Sequence, residues 1–174
     1  MTTIRRASLP EDRPAIAELF GEYLRWVCSR IYAEYAATFD AESILAHDLE
    51  TLQIFMPPNG FLLLAFVGDT AAGCACTRKI GDGIAELKRT YVRPSFRRHG
   101  IGRLLVAETI REAKRLGFHR LRLDSAGFMS EAHTLYRSCG FQDRAPYDES
   151  EIPVEYRKHW VFMELDLTSQ EGQG

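Results

Sequence analysis

The segment from Val92 to Leu105 constrains the fold more than any other part of the chain. It has the pattern of a strand end, a short basic loop with two glycines, and the first turn of an amphipathic helix. The first backbone N–H groups of a helix have no partner inside the helix, and the helix dipole places partial positive charge there. Glycine lets a ligand approach the backbone closely. The pattern therefore predicts a phosphate-binding turn between a strand and a helix.

Charge is distributed unevenly around this loop. Six Lys or Arg residues and no Asp or Glu lie between Lys88 and Arg103, whereas the whole chain has a formal net charge of −2. Without those six residues, the rest of the chain has a net charge of −8. Positive charge is thus concentrated where the predicted helix begins.

The loop lacks two common nucleotide-binding motifs and fits a third. No segment has the G-x-x-x-x-G-K-(S/T) pattern of a P-loop, and Gly100-Ile101-Gly102 is not followed by the third glycine of a dinucleotide-binding fingerprint. Residues 97–102, Arg-Arg-His-Gly-Ile-Gly, fit the pattern (Q/R)-x-x-G-x-(G/A). This strongly resembles the acyl-CoA pyrophosphate loop of the GNAT superfamily of N-acetyltransferases. The Tyr-Val-Arg-Pro strand end before the loop and the Leu-Tyr-Arg-Ser-Cys-Gly-Phe sequence at 135–141 strengthen the resemblance.

Length and composition limit the class of protein. A chain of 174 residues, 45% hydrophobic and 26% charged, is typical of one globular domain. No window reaches about 18 consecutive apolar residues, so no transmembrane helix is predicted. The N-terminal residues 1–6 have no apolar signal-peptide core behind their basic pair. We therefore expect a cytoplasmic protein that has no membrane partner.

The four cysteines and five histidines are scattered without the spacing of metal ligands, so we expect no metal site. Cys74 and Cys76 lie two residues apart on a predicted strand and therefore share a face. Their interpretation as small buried hydrophobic side chains is favoured over a redox pair.

Periodicity and turn residues predict the element order. A first strand covers 4–7, and a capping box from Ser8 to Glu11 begins an amphipathic helix with apolar positions from 16 to 27. Asp40 is the expected N-cap of a helix over 41–52. A hairpin covers 61–67 and 70–78, and a strand over 84–92 ends before Pro94. Helices over 101–116 and 130–138, the second capped by Ser130, flank a strand over 120–125, and the last strand covers 161–166.

This order predicts an α/β fold. The unit from Glu86 to Ser125 is expected to bring two strands together in parallel. The resemblance covers nearly the whole chain and implies the GNAT fold: a mixed, mostly antiparallel central sheet with a parallel, splayed strand pair, flanked by helices. We expect one N-acetyltransferase domain over residues 1–167 and a frayed polar tail over 168–174.

The resemblance also implies which residues bind acetyl-CoA. Backbone N–H groups from Arg97, Arg98, His99, Gly100, Ile101 and Gly102, with Arg103 following, are expected on the cofactor's phosphates. The main chain of Thr90, Tyr91 and Val92 is expected to pair with the pantetheine amides. Without a ligand, those backbone groups need water as their partner.

Two side chains are candidates for acid and base chemistry. Tyr136 matches the family tyrosine that protonates the leaving thiolate, although the alternative is a tyrosine that only packs under the strand with its hydroxyl hydrogen-bonded. Glu86 lies where some family members have a glutamate base. A primary amine with a pKa near ~10.4 is mostly protonated at pH 7, so a base is needed. The alternative for Glu86 is an ion pair with Lys88 on the same strand face.

The acceptor side has weaker signals. Many family members have an asparagine seven residues before the tyrosine, and this chain has Met129 there. The aromatic residues expected near the acceptor pocket are Tyr32, Tyr35, Phe39 and, after Pro146, Tyr147, and they fit a pocket and a core equally well. Acidic residues recur in the same segments, where they form either a negative rim or a solvated surface: Glu34, Asp40, Glu42, Asp148, Glu149, Glu151 and Glu155.

The sequence therefore predicts an acetyl-CoA-dependent N-acetyltransferase that transfers acetyl directly to a small-molecule or peptide amine in a ternary complex. The family often forms homodimers. One alternative is a nucleic-acid-binding module that uses residues 88–103, but a pI of about 6.2 is well below the value of ~9 expected for such a domain. A second alternative is a GNAT-like domain that binds CoA as a sensor without turnover.

Overall fold

Seven strands form one mixed sheet in the order β1-β2-β3-β4-β5-β7-β6 in the computed structural model, which describes residues 1–168. The strands are β1 (Thr2–Arg6), β2 (Gly60–Val67), β3 (Thr70–Gly81), β4 (Ile84–Val92), β5 (Arg120–Ala126), β6 (Gln142–Arg144) and β7 (Trp160–Asp166). The helices are α1 (Arg13–Tyr35), α2 (Ala41–Glu50), α3 (Ile101–Arg115) and α4 (Ser130–Ser138). Within the described residues, neighbouring strands are antiparallel except for β4 and β5, which are parallel. The predicted fold class is confirmed.

Strand β2, the second strand from one edge of the sheet, is buried on both faces. Phe61 and Leu63 pack in a cluster with α3 and α4, whereas Leu62 and Leu64 pack in a cluster with α1. Successive residues of a strand point to opposite faces, so a continuous apolar run fits a sheet covered on both sides. The helices are therefore held as two layers against one sheet.

The start of α1 differs from the prediction. Ser8 Oγ donates to Glu11 at 3.0 Å, as a capping pair would, but the helix begins only at Arg13. The carboxylate of Asp12 accepts the backbone N–H of Ser8 at 2.7 Å and two hydrogen bonds from Arg5. These contacts stabilise a turn before the helix, so the predicted capping box is wrong in position.

Two other helix starts were also predicted from single polar residues. Asp40 accepts the backbone N–H groups of Glu42 and Ser43 at 3.0 and 3.1 Å, which confirms it as the N-cap of α2. Ser130 is the first residue of α4 rather than its cap, and Met129 precedes it without a side-chain hydrogen bond to the helix. The expectation for Ser130 is therefore wrong by one position.

The parallel pair is short and then opens. Ile84, Ala85 and Glu86 pair with residues 120–122 of β5, and the rest of β4 pairs with no other strand of residues 1–168 on that side. Tyr91 is opposite Cys74 and Lys88 is opposite Cys76, so two residues of β4 face one residue of β3. This β-bulge lies next to the opening and bends the strand. The expected splay is present.

The cysteines of β3 contribute to this bulge. Cys74 and Cys76 are fully buried, and their thiols donate to the carbonyl oxygens of Arg89 and Lys88 at 3.3 and 3.2 Å. Arg89 has a φ of 53°, an uncommon value for a residue other than glycine. The thiols satisfy carbonyl groups that the bulge removes from the regular ladder.

Sequence periodicity did not predict two short elements near the C-terminus. The three-residue strand β6 and the short 3-10 helix over Val154–His159 were both missed as separate elements. Thr168 donates its N–H and hydroxyl to Asp166, and residues 169–174 of the predicted tail lie outside the described part of the chain. Within residues 1–168, no helix has the length and hydropathy needed to cross a membrane.

Candidate active site

The predicted phosphate-binding loop has the geometry of an anion cradle. Arg98 and Gly100 have φ values of 64° and 78°, which turn the chain sharply before α3. The first intrahelical bond runs from the N–H of Leu104 to the carbonyl of Gly100, and no side chain caps the helix. Within residues 1–168, the N–H groups of residues 101–103 therefore have no hydrogen-bond acceptor. Such N–H groups at a helix N-terminus bind anions.

A groove of about 740 Å³ runs from this loop along the end of β4 to the start of α4. The predicted cofactor-binding residues line it, except His99, whose side chain is exposed outside the groove. Arg97 donates to the carbonyl of Val92 at 2.9 Å, and its guanidinium lies over the rings of Trp26 and Tyr91. The cradle and the end of β4 are therefore linked by a side chain of the loop itself.

The remaining basic residues are not all available to a ligand. Arg89 pairs with Asp48 at 2.7 Å, Arg93 pairs with Glu22 at 2.7 Å, and Lys88 pairs with Glu151. Within residues 1–168, Arg98 and Arg103 have no ion-pair partner. The basic run is thus not one continuous positive face, which disfavours nucleic-acid binding through residues 88–103.

A small polar chamber of about 50 Å³ occupies the opening between β4 and β5. Glu86 and Tyr136, the two predicted catalytic side chains, both line it. The chamber shares Thr90 and Tyr136 with the groove. The structure therefore brings the candidate acid and base together beside the end of the groove.

Tyr136 is placed by α4, which packs against the sheet. Its side chain is only 7% exposed, and burial raises the pKa of its hydroxyl. The neighbouring Thr90 hydroxyl acts against this rise, and Thr90 Oγ1 is buried without a hydrogen-bond partner among the described residues. A buried, unpartnered hydroxyl at the junction of groove and chamber is a free donor or acceptor for a bound ligand.

Glu86 is 1% exposed and has donors on both carboxylate oxygens. Oε1 accepts from Arg78 at 3.1 Å and lies 3.6 Å from Lys88 Nζ, while Oε2 accepts from Tyr147 at 2.9 Å. The alternative predicted for Glu86, an ion pair with Lys88, is therefore formed, and it is the longest of the three contacts. For Glu86 to act as a base, one of these donors must move away so that the amine or a water can bind the carboxylate.

A second cavity, of about 270 Å³, adjoins the chamber and lies between α1, α2 and the start of β7. Phe39 lines it, whereas Tyr35 stacks on His159 with ring centroids 4.5 Å apart. Tyr32 is 64% exposed, and Tyr147 is buried against Glu86. Of the four predicted aromatic residues, only Phe39 therefore lines this candidate acceptor cavity.

Comparison with known proteins identifies the family. A profile described as the acetyltransferase (GNAT) family matches residues 18–141. The chain belongs to this family. It is 30% identical over 168 residues to an uncharacterized N-acetyltransferase of Schizosaccharomyces pombe, with 95% of each chain covered. It is 32% identical over 146 residues to the IAA acetyltransferase of Azospirillum brasilense, covering 83% of this chain and 87% of the relative.

Solved GNAT structures have the same fold. The PaiA N-acetyltransferase of Thermoplasma acidophilum in complex with coenzyme A matches with a TM-score of 0.73 and 23% identity, covering 95% of this chain and 99% of the other. The ribosomal-protein-S18-alanine N-acetyltransferase of Escherichia coli matches with a TM-score of 0.68 and 19% identity, covering 100% and 98%. The predicted resemblance and the acetyltransferase class of this GNAT enzyme are confirmed.

Most of the acidic residues expected near the acceptor already have ion-pair or hydrogen-bond partners within this GNAT chain. Glu34 pairs with Arg30, Glu42 pairs with Arg25, and Asp40 caps α2. Of the whole predicted set, only Glu151 lines the acceptor cavity. A continuous, free negative rim is therefore not formed.

Sequence reasoning missed Asp124, which lines both the chamber and the acceptor cavity. It is the fifth residue of β5, whose alternating burial places it on the opposite face from Leu121 and Leu123. The available signal was a carboxylate inside an otherwise regular strand beside the predicted opening. Met129, which replaces the family's asparagine, also lines the groove, the chamber and the cavity.

Proposed function

We propose that this GNAT protein transfers an acetyl group from acetyl-CoA directly to the nitrogen of an amine held in the acceptor cavity. One observation carries the proposal: the groove, the chamber and the cavity adjoin one another, since Tyr136 lines the first two, Asp124 lines the last two, and Tyr23 and Met129 line all three. Both substrates can therefore occupy the protein together and approach each other in the chamber. Proximity of this kind supplies much of the rate of a two-substrate reaction.

The residues of the donor side fit acetyl-CoA. The unpartnered N–H groups of residues 101–103, with Arg98 and Arg103, hold the phosphates. The free edge of Thr90, Tyr91 and Val92 pairs with the pantetheine amides, since no strand of the described chain pairs with β4 there. Acetyl-CoA supplies the activated acetyl thioester. Structural neighbours solved with coenzyme A or acetyl-CoA support this choice of cosubstrate.

The chain's own groups then act on protons and charge. Glu86 takes one proton from the acceptor ammonium, which allows nitrogen to attack the carbonyl carbon. Backbone N–H groups at the free edge of β4 stabilise the negative charge that develops on the carbonyl oxygen. As the C–N bond forms and the C–S bond breaks, Tyr136 donates its proton to the leaving sulfur and regains one from nitrogen. One proton is released to solvent for each acetyl group transferred.

The acceptor is an amine of a small molecule or a peptide. The names of relatives do not narrow this choice, since one solved GNAT neighbour acts on the alanine of a ribosomal protein and another is a PaiA enzyme. We also propose that the protein acts in the cytoplasm. The homodimer expected from the family stays a prediction.

The direct experiment measures thiol release from acetyl-CoA against a panel of amines, with mass identification of the N-acetylated product. We expect amine-dependent release that Tyr136→Phe lowers by ~10²- to 10⁴-fold without loss of acetyl-CoA binding. Tight acetyl-CoA binding with no release for any amine would support the sensor alternative. Salt-dependent DNA retention without acetyl-CoA binding would support the nucleic-acid alternative.

A further inference from the structure

The acceptor cavity is apolar at one end and charged at the other. Val27, Ile31 and Trp160 line its apolar part, far along α1 and at the start of β7. Its charged wall lies where it meets the chamber, and is formed by four residues: Lys88, Arg89, Asp124 and Glu151. A ligand that fills this cavity must therefore present an apolar group to α1 and a polar group to the chamber.

Both cations of the charged wall already have carboxylate partners. Arg89 binds Asp48 through two hydrogen bonds, of 2.7 and 3.2 Å. Lys88 pairs with Glu151 and lies 3.6 Å from Glu86. Neither cation is left to bind a carboxylate on the acceptor without breaking an existing ion pair, and the Arg89–Asp48 pair is shielded from solvent on both sides.

The carboxylates of the wall are not equivalent. Glu151 pairs with Arg78 at 3.1 Å as well as with Lys88. Asp124 has no cation within ion-pair distance among the described residues, and its one hydrogen bond is donated by Ser150 Oγ at 2.8 Å. Burial and the nearby charge of Glu86 raise the pKa of Asp124, while Lys88 and Ser150 act in the opposite direction. Asp124 is thus a partly buried acid whose charge is left uncompensated.

We propose that Asp124 binds the ammonium group of the acceptor, and that the acceptor is a primary amine with an apolar substituent and no carboxylate next to the nitrogen. The proposal rests on the acetyl-transfer function argued above and specifies its acceptor. A cationic nitrogen at Asp124 satisfies the one unpaired charge of the wall and lies in the chamber that Glu86 and Tyr136 also line. The apolar substituent fills the space beside Val27 and Ile31.

The decisive experiment measures amine binding to the CoA-loaded protein by calorimetry, so that it does not depend on turnover. Phenethylamine and phenylalanine form a matched pair, because they share the ring and the amine and differ by a carboxylate. We expect phenethylamine to bind and phenylalanine to bind much more weakly. Loss of a hydrogen bond to a charged group predicts a weakening of about 10- to 150-fold for phenethylamine in Asp124→Asn.

Ser150→Ala is the control variant, because it removes the only hydrogen bond that the Asp124 carboxylate makes within residues 1–168 and keeps its charge. If Asp124 merely anchors the loop that carries Ser150, the two variants will weaken binding equally, and the proposal fails. If Asp124 binds the ammonium, Ser150→Ala will stay close to wild type. In turnover, Asp124→Asn will raise the KM for the amine much more than it lowers kcat.

A series of unbranched alkylamines tests the apolar part of the proposal. Affinity is expected to rise with chain length by at most about fourfold per buried methylene until the cavity is full. Phenylalanine bound as tightly as phenethylamine, a flat alkylamine series, or acetylation of peptides alone would each overturn the proposed acceptor. Acetyl-CoA binding and thiol release are measured separately, so failure of the acceptor proposal is distinguishable from failure of acetyl transfer.

Discussion

The donor side and the acceptor side of this site are built in different ways. The phosphate cradle is a continuous stretch of chain at 97–103, and its binding groups are mainly backbone N–H groups. The acceptor cavity takes side chains from α1, α2, β4, β5, β7 and the loop before β7. A site made of local backbone can be recognised from a short motif, whereas a site made of distant side chains depends on the whole fold.

The two sides also differ in charge. Arg98 and Arg103 remain without ion-pair partners at the cradle, where anionic phosphates are expected. Among residues 1–168, Asp124 likewise has no ion-pair partner at the cavity, where a cationic amine is expected. In both places the charge left unpaired is opposite to that of the proposed ligand, whereas Lys88, Arg89 and Arg93 are paired within the chain. Complementary charge of this kind favours the correct partner over the wrong one.

The largest effect is expected at the junction of the two sides. Tyr136→Phe removes the proposed proton donor and should lower kcat by ~10² to 10⁴ with little change in the affinity for either substrate. Because burial raises the pKa of Tyr136, the phenol stays protonated at neutral pH, and the wild-type rate falls only when alkaline pH removes that proton. Steady-state rates against pH measure both effects.

Tyr156→Phe is the matched control, since Tyr156 packs against Phe39 and does not line the groove, the chamber or the cavity. It should leave kcat and the alkaline limb unchanged. A Tyr136→Phe enzyme that retains the wild-type rate would leave Tyr136 as a packing residue.

A change confined to the donor side is Gly102→Glu, which places a carboxylate at the mouth of the cradle. We expect acetyl-CoA to bind ~100-fold more weakly to this variant, a loss of about 2.7 kcal/mol in binding free energy that calorimetry can measure. The fold should survive, because a Cβ at Gly102 meets only the end of the Leu135 side chain, at 3.3 Å. Leu104→Glu adds the same charge to the same helix turn at a residue that is 48% exposed and outside the groove, so it should bind nearly normally. Equal losses in both variants would point to charge on α3 rather than to the cradle.

Glu86→Gln tests whether the proposed base acts on the proton of the acceptor. The rate should fall by ~10²-fold near neutral pH and recover toward ~pH 10, where the amine is already neutral. Glu164→Gln is the control, because Glu164 also pairs with arginines but lies outside the chamber. A pH-independent loss in Glu86→Gln would assign Glu86 to holding Arg78, Lys88 and Tyr147 in place.

The smallest effect is expected on stability. The raised pKa of Asp124 means that folding disfavours its charged form, so the free energy of unfolding decreases as pH rises through the interval between its unfolded and folded pKa values. Asp124→Asn removes that charge and should raise the melting temperature at neutral pH, although amine binding falls. A lowered melting temperature would mean that Asp124 mainly stabilises the fold.

These differences explain what the sequence predicted and what it did not. The cradle, Tyr136 and the order of the main elements follow from local motifs and periodicity. The two residues Ser8 and Ser130 were misplaced as helix caps because Asp12 and Met129 precede the helices instead. Strand β6 has only three residues, too few for a period to be recognised. Asp124 and the pairing of the acidic residues depend on partners far away in the chain, which no local pattern contains.

Both substrates are expected to be bound at once and to meet in the chamber. Initial rates of thiol release over a grid of acetyl-CoA and phenethylamine concentrations test it directly. Direct transfer in a ternary complex predicts intersecting lines in a double-reciprocal plot, and a protein mass unchanged after incubation with acetyl-CoA alone. Parallel lines together with an acetylated protein would instead indicate a covalent intermediate and contradict the account.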